Sequence, residues 1–189
     1  ITRVVLIQHR PYHGTDNSYI TDSIAKFPGV FSAVACIDEV AHAAKPNGIA
    51  KEMDRLKGLG ARGFRIRPGE GNAADWKDSE GITAMWKHAG ESGVAICPLI
   101  NPEDLAMVDR MCQAYPDTRV VVDHFARIGV DGQMRDSDVE NLCNLARHKH
   151  THVKVSAFYA LGKKQPPHDD LKPMIRKLLD AYGADRLMW

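Results

Sequence analysis

Short β-branched runs alternate with amphipathic segments along the whole chain, about every 30 residues, which is the length typical of a βα unit. The candidate strands lie at residues 3–8, 30–37, 63–68, 94–100, 120–122, 152–156 and 186–189. Helices are predicted between them from apolar residues at helical spacing, such as Ile49, Met53 and Leu56. No change of pattern marks a linker, so we expect one domain over residues 1–189. The alternation predicts an α/β fold with a parallel sheet.

Two architectures share this alternation, the (β/α)8 TIM barrel and the open doubly wound sheet. No glycine-rich phosphate-binding loop follows the first strand, which disfavours a dinucleotide-binding sheet. A complete barrel takes about 250 residues. The chain begins at Ile1 almost inside one predicted strand and stops at Trp189 inside another. We therefore expect an incomplete TIM barrel, with its first strand missing and its last strand clipped, as an internal portion of a longer chain.

Residues with preferences for helix ends mark several boundaries. Asn101 and Pro102 fit the N-cap and the first position of a helix. The segment from Ser137 to Glu140 has the spacing of a capping box. Gly60 is expected to end one helix in a left-handed conformation, and Gly183 to end another. The segments 9–17 and 38–48 are predicted to be loops.

Charge content indicates the class of partner, and cysteine content indicates the compartment. The chain has 25 basic and 24 acidic residues and no basic block, so we expect a small-molecule substrate and neither nucleic acid nor a membrane surface as partner. A homo-oligomer is compatible with the same composition. The four cysteines show no paired spacing, which favours buried thiols in a reducing compartment and a cytoplasmic location. No apolar run approaches the ~20 residues that span a bilayer.

The run from Val120 to Val122 suits a strand buried on both faces, and it is followed at once by Asp123, His124 and Arg127. Residues just past the carboxyl ends of barrel strands face the active site. His124 can there bind a metal, donate a hydrogen bond to a substrate carbonyl or transfer a proton. A structural core histidine is the alternative, but the neighbouring acid and guanidinium favour function. Period-2 geometry turns Asp123 away from His124, which indicates a supporting role.

Three arginines, Arg65, Arg67 and Arg127, lie at or just beyond the carboxyl ends of predicted strands. A guanidinium holds a carboxylate through two parallel hydrogen bonds, so these residues are candidates for binding an anionic substrate. The alternative is internal salt bridges to Asp38, Glu39 or Glu70. The two interpretations are balanced for Arg65 and Arg67, whereas substrate binding is favoured for Arg127.

The first predicted loop is rich in hydrogen-bonding groups, which makes its residues candidates for substrate binding; ordinary loop structure explains them equally well. They are Gln8, Tyr12, His13 and Asn17. Further along, Lys154 and Ser156 alternate with valines and should point into the barrel. An unpaired lysine would be costly there, so we expect Lys154 to form a salt bridge.

His148, His150 and His152 form an H-x-H-x-H pattern that superficially indicates metal binding. The pattern leads into a strand and does not follow one, so it lies at the end of the barrel opposite to the active site. A solvated connection between helix and strand is therefore favoured over a metal site.

Several motifs taken together resemble the amidohydrolase-2 family, the TIM-barrel metal-dependent hydrolases of the amidohydrolase superfamily. They are Val5–Gln8 with His13–Asn17, Gly63–Arg65, Val122–Arg127, Val153–Ser156 and Ala184–Trp189. Within the family, the chain looks most similar to the branch of 2-pyrone-4,6-dicarboxylate hydrolase and the sugar lactonases. Where relatives tend to carry glycine and a later arginine, this chain has Ala157 and Ala160.

The resemblance implies a hydrolase that opens a lactone or similar cyclic ester of a small anionic or sugar-derived substrate. It implies that His124 polarises the substrate or faces a metal, and that Arg127 anchors the substrate. The family's H-x-H pair is expected before Ile1 and its catalytic aspartate after Trp189, so this portion alone is expected to be inactive. A divalent metal such as zinc is the implied cofactor, although lactone-opening relatives can work without one. A metal-dependent decarboxylase and a non-catalytic barrel that binds a small acid are the alternatives.

Overall fold

A computed structural model of the protein describes residues 3–68 and 76–189. Within these residues the chain divides into two compact units. Of the described residues, unit one comprises 3–66, 76–97 and 117–119, and unit two comprises 67–68, 98–116 and 120–189. The prediction of a single domain over residues 1–189 stays a prediction.

Unit one is built from parallel strands and the helices that follow them. Its strands are β1 (Val4–Ile7), β2 (Phe31–Ala35), β3 (Ala61–Ile66) and β4 (Ala95–Pro98, the last residue of which belongs to unit two). β1 pairs in parallel with β2, and β2 with β3. Its helices are α1 (Arg10–His13), α2 (Ser18–Lys26), α3 (Glu39–Ala43), α4 (Gly48–Gly58) and α5 (Glu80–Ser92). The predicted apolar face of α4 is confirmed, because Ile49, Met53 and Leu56 are all buried.

Unit two continues the same alternation. Its strands are β5 (Arg119–Val122, in this unit from Val120 onward), β6 (Thr151–Lys154) and β7 (Leu187–Met188). β5 pairs in parallel with β6, and β6 with β7. Its helices are α6 (Leu105–Ala114), α7 (Asp136–Asn144) and α8 (Lys172–Tyr182). The buried Tyr182 hydroxyl at the end of α8 donates to the Leu142 carbonyl oxygen in α7 at 2.6 Å and joins the two helices.

The predicted helix ends are mostly confirmed. Gly60 follows α4 with a φ of 105°, and Gly183 caps α8. Asn101 and Asp104 form a reciprocal capping box at a short 3-10 turn, Pro102–Asp104, that leads into α6. The capping box predicted at Ser137 is wrong, because α7 begins at Asp136 and its N-cap, Arg135, makes no side-chain cap.

Two segments predicted as loops contain short helices. The first, α1, lies within residues 9–17, and the second, α3, lies within residues 38–48. Asp38 explains α3, since its side chain accepts a hydrogen bond from the Ala41 backbone N–H and so satisfies a donor at the start of the helix. In the described part of the chain, no helix is both long and apolar enough to cross a membrane.

Candidate active site

The strand β5 ends in a buried acid and an unusual turn. Val120 and Val122 are buried, and Asp123, directly after the strand, has an exposed fraction of 0%. From His124 to Arg127 four consecutive residues that are not glycine have left-handed φ values of 53°, 55°, 52° and 58°. A left-handed turn of L-residues costs roughly 1–2 kcal/mol per residue. Such strain persists only where the surroundings hold it, and it is typical of functional sites.

Apolar packing holds the middle of this left-handed turn. Phe125 and Ala126 are buried, and the Phe125 ring stacks on Phe158 with 5.9 Å between ring centroids. The Ile128 N–H donates to the Phe125 carbonyl oxygen at 3.2 Å and closes the turn. The side chains inside the turn therefore anchor it, and His124 at its start is left half-exposed.

A buried ion pair links the start of the turn to the neighbouring strand. Lys154 Nζ, at the end of β6, lies 2.6 Å from Asp123 Oδ1. The lysine side chain is 17% exposed and the aspartate side chain is not exposed at all. The salt bridge predicted for Lys154 is confirmed, and its partner is the aspartate that the strand pattern assigns to a supporting role.

His124 is held by a hydroxyl from the same strand end. Its Nδ1 lies 2.8 Å from Ser156 Oγ, two residues beyond Lys154. The register of β5 and β6, in which Val122 pairs with Val153, brings these segments side by side. Lys154 and Ser156 thus contact the consecutive residues Asp123 and His124.

Arg127 closes the turn with an exposed side chain. It lines a pocket of about 400 Å³ in unit two, together with Asn101 and Glu103 ahead of α6 and Asp131 and Arg135 ahead of α7. Arg135 is already paired with Asp131 at 2.7 Å, and this contact lowers the pKa of the Asp131 carboxyl. An exposed guanidinium at a pocket can bind an anion.

The other predicted arginines are half-buried, Arg65 within β3 and Arg67 just beyond it. Of the three acidic residues considered as their salt-bridge partners, two make contacts with other groups and the third is not described. Glu39 Oε2 lies 3.4 Å from Arg10 Nη1, and the Asp38 carboxylate caps α3. Glu70 lies outside the described residues. Substrate binding by Arg65 and Arg67 stays a prediction.

The four residues of the first loop that are candidates for substrate binding differ in their burial. Gln8 and Asn17 are buried and engaged by backbone: Gln8 Nε2 donates to the Asp16 carbonyl oxygen at 2.5 Å, and Asn17 both donates to and accepts from the Cys36 backbone at 2.8 and 3.0 Å. These contacts favour a structural role for the two amides. Tyr12 is 84% exposed, and His13 is exposed as well. Tyr12 and His13 are thus accessible to a ligand.

The H-x-H-x-H pattern lies at the amino end of β6, as predicted. His148 Nε2 lies 2.7 Å from Asp109 Oδ1, and His152 Nδ1 lies 3.1 Å from the His150 carbonyl oxygen. Among residues 3–68 and 76–189, no three His, Cys, Asp or Glu side chains come together as metal ligands. The described residues therefore do not form a metal site by themselves.

Burial lowers the reactivity of Cys112, a cysteine of α6 that contacts Thr151 of β6. Desolvation raises the pKa of the Cys112 thiol to about 12, although its Sγ lies 3.8 Å from Thr151 Oγ1. Because the thiolate is the nucleophilic form, Cys112 is not a nucleophile near neutral pH.

Sequence reasoning missed the contact of Ser156 with His124. The period-2 pattern placed Ser156 on the same side of its strand as Lys154, which was the available signal. Ala157 has a left-handed φ of 63°, a conformation that glycine would adopt without strain.

The comparison of family sequence profiles decides the family. The profile described as amidohydrolase matches residues 1–189. The chain belongs to the amidohydrolase family. The family resemblance seen in the motifs is therefore confirmed.

Named relatives of this amidohydrolase include lactone hydrolases. It is 28% identical over 198 residues to L-fucono-1,5-lactonase of Burkholderia ambifaria, covering 100% of this chain and 63% of that protein. It is 24% identical over 182 residues to 4-sulfomuconolactone hydrolase of Hydrogenophaga intermedia, covering 96% of this chain and 57% of that protein. The chain thus spans 63% and 57% of the length of these two relatives.

A solved structure confirms the fold of this amidohydrolase. A Pseudomonas putida protein described as a 2-pyrone-4,6-dicarboxylic acid hydrolase superposes with a TM-score of 0.83 at 24% identity, covering 100% of this chain and 66% of that one. With seven strands among the described residues, the predicted α/β fold and incomplete TIM barrel are confirmed.

Proposed function

We propose that the full-length protein hydrolyses a lactone or similar cyclic ester of a small anionic or sugar-derived substrate. The observation that carries the proposal is His124, half-exposed in a left-handed turn at the carboxyl end of β5 and held through Nδ1 by Ser156. The lactone-opening activities named for two relatives support the substrate class.

In the proposed reaction, water adds to the lactone carbonyl carbon, and the ring C–O bond then breaks to give a hydroxy acid. A general base, which we expect beyond Trp189 from the family resemblance, takes the proton of the water. His124 Nε2–H donates a hydrogen bond to the carbonyl oxygen and stabilises the negative charge that develops there. The Asp123–Lys154 pair keeps the backbone of His124 in place.

Substrate anchoring is assigned to the predicted binding residues. Arg127, exposed at the pocket ahead of α6 and α7, is proposed to pair with a substrate carboxylate. Arg65 and Arg67 remain candidates for the same role. Among the loop residues, the exposed Tyr12 and His13 are favoured over Gln8 and Asn17, whose amides are engaged by backbone.

A divalent metal such as zinc is an alternative to this hydrogen bond, because His124 would bind a metal through Nε2, the nitrogen that donates to the carbonyl oxygen in the scheme above. The other ligands are expected, from the family resemblance, outside residues 1–189. Such a metal would polarise the carbonyl or activate the water. A cytoplasmic location and assembly into a homo-oligomer also remain proposals.

The test is hydrolysis of a panel of aldonolactones, muconolactones and pyrone dicarboxylates by the full-length protein, followed by proton release. Loss of a group that stabilises an oxyanion costs about 100- to 1000-fold in kcat, so we expect that loss for His124→Ala. His150→Ala is the matched control at the other end of β6 and should keep full activity. Full activity of His124→Ala would refute the assignment. Release of carbon dioxide would indicate a decarboxylase instead, and binding without turnover a non-catalytic barrel.

A further inference from the structure

We infer that the pocket at Arg127 prefers a ligand with one carboxylate and neighbouring hydroxyl groups to a dicarboxylate, and that Glu103 and Asp138 set this specificity. The inference rests on the proposed function, because it narrows the substrate class of the same site. The pocket has a volume of about 400 Å³ and lies wholly within unit two. This volume suits a small acid, since pockets for small molecules begin at roughly 300 Å³.

The charged side chains that line the pocket do not balance. They are two arginines, Arg127 and Arg135, and three acids, Glu103, Asp131 and Asp138. Arg135 and Asp131 compensate each other through their contact at 2.7 Å. The guanidinium of Arg127 and the carboxylates of Glu103 and Asp138 therefore remain for a ligand, and negative charge exceeds positive charge in the lining.

The Arg127 guanidinium accounts for the one carboxylate of the ligand. Its side chain is exposed, and it forms no ion pair with the described residues. A guanidinium holds one carboxylate through two parallel hydrogen bonds. The described lining offers no second cation of this kind, because the Arg135 guanidinium is engaged by Asp131. A second carboxylate on the ligand would thus lack a positive partner in this pocket.

The Glu103 carboxylate accounts for the hydroxyl groups of the ligand. Asn101 Nδ2 donates to Glu103 Oε1 at 3.1 Å, in the segment that precedes α6. Each carboxylate oxygen can accept two hydrogen bonds, so Glu103 keeps acceptor capacity for a ligand. A carboxylate cannot donate, and it therefore binds hydroxyl groups but repels a second carboxylate.

Asp138 adds a negative charge on the α7 side of the pocket. It is half-buried in the first turn of α7 and interacts electrostatically with Arg135. A carboxylate in this position also stabilises the start of a helix, so a substitution of Asp138 would change two properties at once. Glu103 lies in the short 3-10 turn ahead of α6 and is the better residue for a test.

The preference narrows the proposed substrate to lactones that carry one free carboxylate and hydroxyl groups. It is tested with two four-carbon acids that differ at one end, because L-threonate has a hydroxymethyl group where L-tartrate has a second carboxylate. Binding to the full-length protein is measured by titration calorimetry at low ionic strength, where salt screens charges least. We expect tighter binding of L-threonate. Arg127→Ala should weaken that binding about 10-fold, which locates it in this pocket.

Glu103→Gln isolates the negative charge, because glutamine keeps an oxygen that can accept from Asn101 Nδ2. An interaction with an exposed charge changes an affinity about two- to five-fold, so the preference for L-threonate over L-tartrate should fall by about that factor. The matched control is Glu140→Gln, which removes an exposed glutamate of α7 outside the described lining and should keep the preference. Loss of folded protein would lower the amount of acid bound and leave the ratio of the two affinities unchanged.

Three results would overturn the inference: binding of neither acid, tighter binding of L-tartrate by the unsubstituted protein, or the same preference in Glu103→Gln as in Glu140→Gln. The binding experiment needs no turnover, so the two proposals can fail separately. If the preference is found and no lactone is hydrolysed, the proposed function fails and the specificity of the pocket stands. If a lactone is hydrolysed and Glu103→Gln leaves the preference unchanged, the inference alone fails.

Discussion

The buried ion pair between Asp123 and Lys154 predicts a large effect of its removal on the free energy of unfolding. Replacing Lys154 with methionine keeps the length of the side chain and removes its charge. Asp123, with an exposed fraction of 0%, is then left as a buried charge without its cation. At 2.6 Å and an effective dielectric constant of about 20, the attraction that is lost is about 6 kcal/mol.

Part of that attraction is offset by the desolvation of the two ions in the intact protein. Breaking a buried pair by removing one partner costs about 3–5 kcal/mol in net free energy of unfolding, and this is the loss expected for Lys154→Met. Adding Asp123→Asn should restore part of the stability, because the double variant no longer buries a charge. The coupling between the two substitutions then measures the pair itself.

The assay is urea unfolding of the full-length protein, followed by far-ultraviolet circular dichroism. The matched control is Lys177→Met, which removes a lysine that lies 2.8 Å from Asp136 on the surface. Exposed pairs contribute little, so the control should unfold at the midpoint of the unsubstituted protein. If Lys154→Met and Lys177→Met shared one midpoint, the reasoning from burial would be refuted.

Two further predictions concern the substrate and pH. Arg127→Ala should raise KM about 10-fold for an anionic lactone and much less for a neutral sugar lactone. Arg127→Lys should restore little of the lost affinity, because lysine lacks the planar fork of donors. Equal KM changes for both lactones would contradict anion binding. The pKa of Cys112 is raised in the folded state from 9.0 to about 12, so its contribution to stability is complete below pH 9 and is lost as the pH rises towards 12. Urea midpoints of Cys112→Ala should therefore fall less steeply with pH over that range than those of the unsubstituted protein, and parallel curves would count against this.

The repeating βα units of the fold could be predicted from the sequence. The buried faces of helices such as α4 follow from residue spacing, and the alternation of strands and helices from β-branched runs. The ion pair of Lys154 also followed from local pattern, because period-2 geometry turns the side chain inward where it needs a partner. Boundaries were less accurate, as the short helix α3 and the start of α7 show, since caps depend on where individual side chains point.

The contacts that complete the candidate site could not be predicted. The hydrogen bond between His124 and Ser156 depends on the register of β5 against β6, which no local pattern encodes. The left-handed turn gave no signal either, because residues 124–127 contain no glycine. The structural role of Asn17 depends on the Cys36 backbone, 19 residues away in sequence.

The absence of glycine from residues 124–127 has a consequence for directed evolution of this protein. Glycine would adopt each of these left-handed conformations at little steric cost, so Ala126→Gly removes backbone strain at the price of one buried methyl group. A screen for heat resistance rewards glycine in this segment where the strain removed exceeds the lost contact and the added entropy of the unfolded chain. The same change adds backbone freedom beside His124, so heat-resistant winners at these positions are expected to be slower catalysts.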